Sequence, residues 1–325
     1  MIATTPTDIL RFIAERHASQ IETVLVTLVG IKGGASRAIG AQMAIDANGQ
    51  RAGSFSGGCI EDAVAEEALE TLSDGWGRVV RYGVGSPYID VRLPCGGGID
   101  LLFTPRPQSS VISAVLDKLE QREAASVALQ CDSITMLPAL TQRAWNGECL
   151  HHNYQPDLRI YALGQGEDLT AFARLGAYFG ANIHALTPDR TAFDLLASDG
   201  IAATYLATRT TLPIPQSDPW SAIVFLFHGP DWEEQLLPQA LALPSFYVGA
   251  IGSRRTHTAR LAMLEKAGVP FEKISSIRGH IGLIPATRDP ATLALSILGE
   301  IVADFNTLSQ WSHWMGQSLA GTTIE

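Results

Sequence analysis

Apolar residues recur at helical spacing over Thr7–Ala18, where Ile9, Leu10, Phe12 and Ile13 share one face and Thr7 stands where an N-cap would. A continuous apolar run, Val24–Ile31, then predicts a buried strand that breaks at Lys32-Gly33-Gly34. Gly40–Ala47 predicts a second strand, joined through Asn48-Gly49 to a partner at Arg51–Phe55. After Ser56-Gly57-Gly58-Cys59 the period lengthens to that of a helix over Ile60–Leu72. Strands are expected at Arg78–Val84 and Ile99–Thr104, a helix at Val111–Arg122, and strands at Ser126–Cys131 and Ile134–Leu137. This part of the chain is α+β in character.

Periodicity lapses over Trp145–Pro156, so a first domain is expected over residues 1–145, a linker over 146–156 and a second domain over 157–325. Beyond it, short apolar strands alternate with helices. Strands are expected at Leu158–Leu163, Asn182–Leu186, Ala202–Leu206, Ala222–Phe227 and Phe246–Gly249. Helices are expected at Asp168–Phe179, Thr191–Ser198, Asp231–Leu243, Arg254–Ala267 and Pro290–Phe305. That alternation predicts a doubly wound, Rossmann-like parallel sheet, and the whole is an α/β chain.

Composition narrows the functions. With 23 Lys+Arg against 33 Asp+Glu, the net charge is −10, which disfavours a nucleic-acid partner. Small anionic ligands stay open, because a few arginines and backbone N–H groups suffice for them. Four cysteines in 325 residues, none in a CxxC pair, are neither a disulfide framework nor a structural zinc site. No apolar run approaches the length needed to span a bilayer, and Met1–Pro6 lacks the features of a signal peptide. A cytoplasmic location is expected.

Three places carry chemistry. Strand Leu158–Leu163 runs into Gly164-Gln165-Gly166-Glu167-Asp168-Leu169, most of a dinucleotide fingerprint. Leu169 stands where a third glycine belongs, and Thr187 where an acid would hold a ribose. The turn therefore reads either as architecture or as a nucleotide site, which leaves an NAD(P)-dependent oxidoreductase as the alternative function. At the second place, Gly252-Ser253-Arg254-Arg255, two basic residues fall in a helix's first turn, where they oppose its dipole unless an anion docks. His228 falls at the same C-terminal edge of the sheet, where doubly wound folds bind ligands. The third place is a pair of glycine-framed cysteines, Gly57-Gly58-Cys59 and Cys95-Gly96-Gly97. About a tenth or less of an ordinary thiol is thiolate near neutrality, and a helix start raises that fraction. Glu61 and Asp62 work against the rise. Two such thiols suit a soft ligand, so Cys59 and Cys95 are candidate contacts for a metal or a sulfur.

Taken together these segments resemble the XdhC/CoxI family, the maturation factors of xanthine dehydrogenase-type molybdenum enzymes. The resemblance rests on Gly53–Glu61, Leu93–Gly97, Phe246–Thr256, Ile281-Gly282-Leu283 and the helix from Pro290 to Ala303. It implies a chaperone, not an enzyme. Such a protein binds the molybdenum cofactor (molybdopterin or its cytosine dinucleotide form), shields it, assists its sulfuration and inserts it into an apo xanthine dehydrogenase or aldehyde oxidoreductase. Implied partners are the apo hydroxylase large subunit, a cysteine desulfurase and a cofactor nucleotidyltransferase; a homodimer is the default for a soluble chain. On this expectation Cys59 and Cys95 face the molybdenum–sulfur end, and Gly252–Arg255, with Gly164 and Gly166, face the phosphate end.

Overall fold

Thr5, not Thr7, starts the first helix, α1 (Pro6–Ala18). Its hydroxyl accepts the Asp8 N–H, the Asp8 carboxylate accepts the Thr5 N–H, and Pro6 opens the first turn, leaving Thr7 buried inside it. The computed structural model describes residues 5–58, 60–86 and 96–311. The chain divides into two units, Met1–Pro156 and Asp157–Gln310.

In the first unit α1 is followed by β1 (Thr23–Lys32), β2 (Gln42–Asp46), β3 (Arg51–Gly53), α2 (Glu61–Asp74), β4 (Arg78–Gly83) and β5 (Gly98–Pro105). These strands form an antiparallel sheet in the order β3-β2-β1-β5-β4. Alternate residues go to opposite faces. Leu25, Ala44 and Leu102 pack with Ile9, Leu10 and Ile13 of α1, whereas Val24, Val26, Met43 and Phe103 pack with Val64 and Ala68 of α2. Burial on both faces is why β1 reads as one apolar run. Helix α3 (Ser109–Glu120) and strands β6 (Ala125–Leu129), β7 (Ile134–Met136), β8 (Ala144–Trp145) and β9 (Leu150–Tyr154) complete the unit. The last four form a second antiparallel sheet, β7-β6-β9-β8, on the α1 side of the core.

The segment expected as a linker, 146–156, therefore carries strand β9 of that sheet. Asn146 closes a turn by accepting the Glu148 and Cys149 N–H groups, and β9 then buries Leu150, His152 and Tyr154 in alternation. A histidine at the middle inward position hid that pattern. Burial first, and Arg143 second, push the His152 pKa down to about 3. Its folded value lies below its unfolded one, so stability is complete above the unfolded pKa of about 6.5 and falls as the pH drops toward 3. Between pH 6.5 and 4.5 His152 alone should cost about 2 kcal/mol, the slope approaching about 1.4 kcal/mol per pH unit below the unfolded pKa. Urea titrations across that range should therefore fall less steeply for His152→Phe than for the parent chain.

The second unit runs β10 (Arg159–Gly164), α4 (Gly166–Phe179), β11 (Asn182–Thr187), α5 (Arg190–Ser198), β12 (Ala202–Tyr205), β13 (Ser221–Leu226), α6 (Pro230–Ala242), β14 (Tyr247–Ala250), α7 (Arg254–Lys266), α8 (Phe271–Ser276), β15 (Arg278–Gly279) and α9 (Pro290–Trp311). Its strands are parallel, in the order β12-β11-β10-β13-β14-β15. The chain winds outward from β10 to β12 and returns to β13, so a switch point lies between β10 and β13. One face carries α4, α5 and α9, and the other α6, α7 and α8. Neither α8 nor β15 is foreseen from the sequence, since six and two residues are too short to show a period. Among the described helices α9 alone is long and apolar enough to cross a membrane, but Ala294, Ile297, Leu298 and Ile301 spend its apolar stripe on the sheet.

Candidate functional site

A cleft of about 1190 Å³ opens at the C-terminal edge of the parallel sheet, bordered by Asp168, His228, Gly252, Ser253, Arg254 and Arg288. Gly252 makes the turn that enters it, at φ +138°, and Ser253 caps α7 by accepting the Thr256 N–H. The N–H groups of Arg254 and Arg255 have no acceptor among the described residues, so the start of α7 is open to an anion. Arg254 and Arg288 are exposed and have no ion-pair partner among the described residues. Beneath the turn lies a buried pair. Arg260 forks onto Glu233 at 2.8 and 2.9 Å and donates to the Ile251 carbonyl at 2.7 Å, joining α6, α7 and the turn.

The sequence reading finds Gly252, Ser253, Arg254 and His228, and the structure brings these four to one cleft. Arg255 lies off its wall. The opposite rim, residues 280–290, is missed as a site: its only signal is Ile281-Gly282-Leu283, because Thr287 and Arg288 sit in an irregular loop. That rim is tied to α9, with the Gly282 N–H on Glu300 and the Ile284 N–H on Ser296. His280 and Ala286 hold positive φ there, at +58° and +56°, strain of the kind that clusters at ligand sites. His228 Nε2 lies 2.9 Å from Asp168 Oδ2, a contact across the switch point.

The Gly164 turn has a different character. Gly164 ends β10 against β13, where a Cβ would lie 2.8 Å from that of Leu226. The Gly166 N–H is already taken by Asp189 Oδ2 at 3.1 Å, and Asp189 also caps α5. Glu167 and Asp168 add two more carboxylates in the first turn of α4. A pyrophosphate would meet three acids there, which opposes the helix dipole's attraction. Leu169 is fully buried in the core, and the close helix–strand approach expected of a third glycine comes instead from Gly176 against Ile183. Neither Gly164 nor Gly166 lines the cleft.

In the first unit, the ends of β1, β3 and β4 and the starts of β2 and β5 lie at one end of the sheet. The glycine segments open from that end. A Cβ on Gly97 would sit 2.0 Å from the Gly34 carbonyl oxygen, so the backbone before β5 lies directly on the loop after β1. Gly96 has open space beside it. Arg37 Nε, from the loop after β1, donates to the Ser54 carbonyl at 3.3 Å. Cys59 and Cys95 lie outside the described residues. Among those residues no group of histidine, cysteine and acidic side chains is suited to hold a metal. Cys131 packs against the core, and burial, then Asp132, push its thiol pKa up. The N–H groups of Gly57 and Gly58, in the segment read from the sequence as a candidate site, are spent within the protein on Glu61. Burial opposes charge on that carboxylate, yet hydrogen bonds from Ser56 and Ser54 hold its pKa far below the usual range.

Comparison with known proteins places these features. Residues 160–301 match the XdhC Rossmann domain and residues 17–83 match the XdhC and CoxI family. Over 297 residues the chain is 38% identical to the molybdenum cofactor insertion chaperone PaoD of Escherichia coli (strain K12), covering 91% of this chain and 87% of that one. It also superposes, at a TM-score of 0.75 and 18% identity, on a crystal structure described as a xanthine dehydrogenase from Bacillus halodurans, covering 95% of this chain and 98% of the other. At that identity the likeness is one of fold. With both halves matched and a relative this similar over nearly the whole length, the chain belongs to the XdhC and CoxI family.

Proposed function

We propose that this protein binds the molybdenum cofactor, shields it, and inserts it into an apo hydroxylase of the xanthine dehydrogenase or aldehyde oxidase type, assisting sulfuration on the way. The observation that carries the reading is the cleft at the start of α7, lined by Arg254 and Arg288, neither of which has an ion-pair partner among the described residues. The cargo's phosphate is dianionic, its pterin edge is rich in N–H groups, and its metal is thiophilic. Arg254, Arg288 and the N–H groups of Arg254 and Arg255 suit the phosphate, whether or not a cytidine is attached to it. Asp168, on the same cleft, offers an acceptor of the kind a pterin edge needs. Cys59 and Cys95 offer the soft sulfur that a thiophilic metal prefers. Sulfuration needs a persulfide source, so a cysteine desulfurase is the expected partner besides the client hydroxylase.

The rival reading is a nicotinamide-dependent oxidoreductase, and the acids at the Gly164 turn weigh against it. The test is to purify the chain from a host that makes the cofactor and to assay bound pterin and molybdenum. The empty chain is then titrated with nicotinamide nucleotides while its tryptophan fluorescence is followed. Pterin and molybdenum in comparable amounts, with no saturable nucleotide response at micromolar concentration, are expected. A saturable nucleotide response with no bound pterin would favour the rival.

A further inference from the structure

Two polar residues interrupt the apolar stripe that seats α9 on the sheet: Ser296, only 2% exposed, and Glu300, half-buried. A helix that merely packed would be apolar there, and Gly299 between them weakens a helix interior. All three meet the loop that follows β15. Glu300 Oε2 accepts the Gly282 N–H at 2.5 Å. The Ser296 hydroxyl accepts the Ile284 N–H at 2.7 Å, and the Ser296 carbonyl accepts the Leu283 N–H at 3.2 Å. A Cβ on Gly299 would lie 3.2 Å from Leu283 Cδ1, and one on Gly282, at φ +115°, would lie 2.4 Å from Ser296 Oγ. Glycine at both places lets loop and helix approach this closely.

The far end of the loop returns to the same helix. The Asp289 carboxylate accepts the Thr292 N–H at 2.8 Å, and its carbonyl accepts the Leu293 N–H at 3.1 Å, which caps α9. Residues 285–288 therefore bridge two fixed points on α9, and Arg288 is the last of them. The other oxygen of Glu300, Oε1, accepts the Tyr247 hydroxyl at 2.9 Å. Tyr247 opens β14, the strand that leads into the Gly252 turn, so one carboxylate ties that strand to the opposite rim. Neither Ser296 nor Glu300 borders the cleft. Whatever they do for a ligand passes through the loop.

We infer that Ser296 and Glu300 are positioning residues for Arg288: they hold the 280–290 loop against α9, so that the guanidinium faces the cleft before the anion arrives. This deepens the chaperone reading and rests on it for the identity of the anion. Arg288 is exposed and has no partner among the described residues, so its own side chain does nothing to fix the loop. An arginine on a loose loop must be ordered as it binds, and that cost cancels much of its contact with a phosphate. On a loop already held, the cost falls mainly on the side chain.

The test is a double-mutant cycle on the full chain, with molybdopterin binding read from tryptophan fluorescence. In the parent, Arg254→Ala and Arg288→Ala should each weaken binding about tenfold. In Ser296→Ala/Glu300→Ala, Arg288→Ala should cost less than about twofold, whereas Arg254→Ala should still cost about tenfold. A purely structural weakening does not single out one arginine. Ser296→Ala alone reports if the double variant does not fold, and there the Arg288→Ala cost should drop to about threefold. Glu300→Gln should bind within about twofold of the parent, because its amide oxygen takes the Gly282 N–H while its NH₂ donates to the Tyr247 hydroxyl. An Arg288→Ala cost that stays near tenfold in the α9 variants, or an Arg254→Ala cost that falls with it, would overturn the assignment. No cost at either arginine in the parent would remove the cargo from this cleft and the positioning role with it, a failure told apart because it shows before any change in α9.

Discussion

Replacing Arg254 and Arg288 together by alanine is expected to weaken molybdopterin binding about 100-fold. A hydrogen bond from a charged donor to a phosphate contributes about 1.5–3 kcal/mol, and exposure of both side chains draws each toward the lower end. Two such losses come to about 3 kcal/mol, or about two orders of magnitude in Kd. Arg254→Ala alone should cost about tenfold, because Arg288 and the helix N–H groups remain. Arg255→Ala is the matched control: one residue further along α7 and off the cleft, it should change affinity less than about twofold. The binding can be read from intrinsic fluorescence, since Trp232 stacks on Phe227 at 5.7 Å and Phe227 lines the cleft. Raising the salt concentration should narrow the gap between the parent and the double variant, because exposed charges are screened.

Glu233→Ala should be the most destabilising single change at the site, at about 3–5 kcal/mol. Arg260 and Glu233 are almost completely buried, with side chains 1% and 5% exposed. Removing the acid leaves a guanidinium out of water with only the Ile251 carbonyl to accept from it, and its Nη1 lacks a partner even in the intact protein. For a unit of this size each kcal/mol lowers Tm by roughly 2–4 °C, so a fall of about 10 °C in a calorimetric melt is expected. The Glu233→Leu/Arg260→Met double variant should recover most of that loss, because a buried pair replaced by apolar residues of similar volume is often near neutral. Recovery of stability without recovery of cofactor binding would show that the pair also holds the Gly252 turn for its ligand.

The parallel unit is legible in the sequence because its central strands are buried on both faces. Ile160–Leu163 and Ala222–Leu226 are unbroken apolar runs set between helical periods. Strand β9 is not legible, since His152 stands at an inward position where the pattern needs an apolar residue. At the site, Arg254 can be picked out because a basic residue at a helix start is locally unfavourable and calls for a reason. Arg288 has no such local signature; only the folding of the 280–290 loop across from α7 gives it a role. Glu61 misleads in a more instructive way. An acid in a first turn is the ordinary complement to a helix dipole, and nothing local foretells that the preceding loop will coil back and spend its N–H groups on it. The Gly164 turn misleads in the opposite sense. Its glycines suggest a phosphate cradle, but the acid that fills it comes from Asp189, 23 residues further along the chain.

Amide hydrogen exchange, compared between the empty chain and the chain loaded with molybdenum cofactor, probes the location of the anion most directly. The free N–H groups at the start of α7 should exchange fast when empty and slow down on loading, together with amides in 280–290, while amides in 164–170 stay as they were. Slowed exchange over 164–170 with 252–257 unaffected would contradict the account.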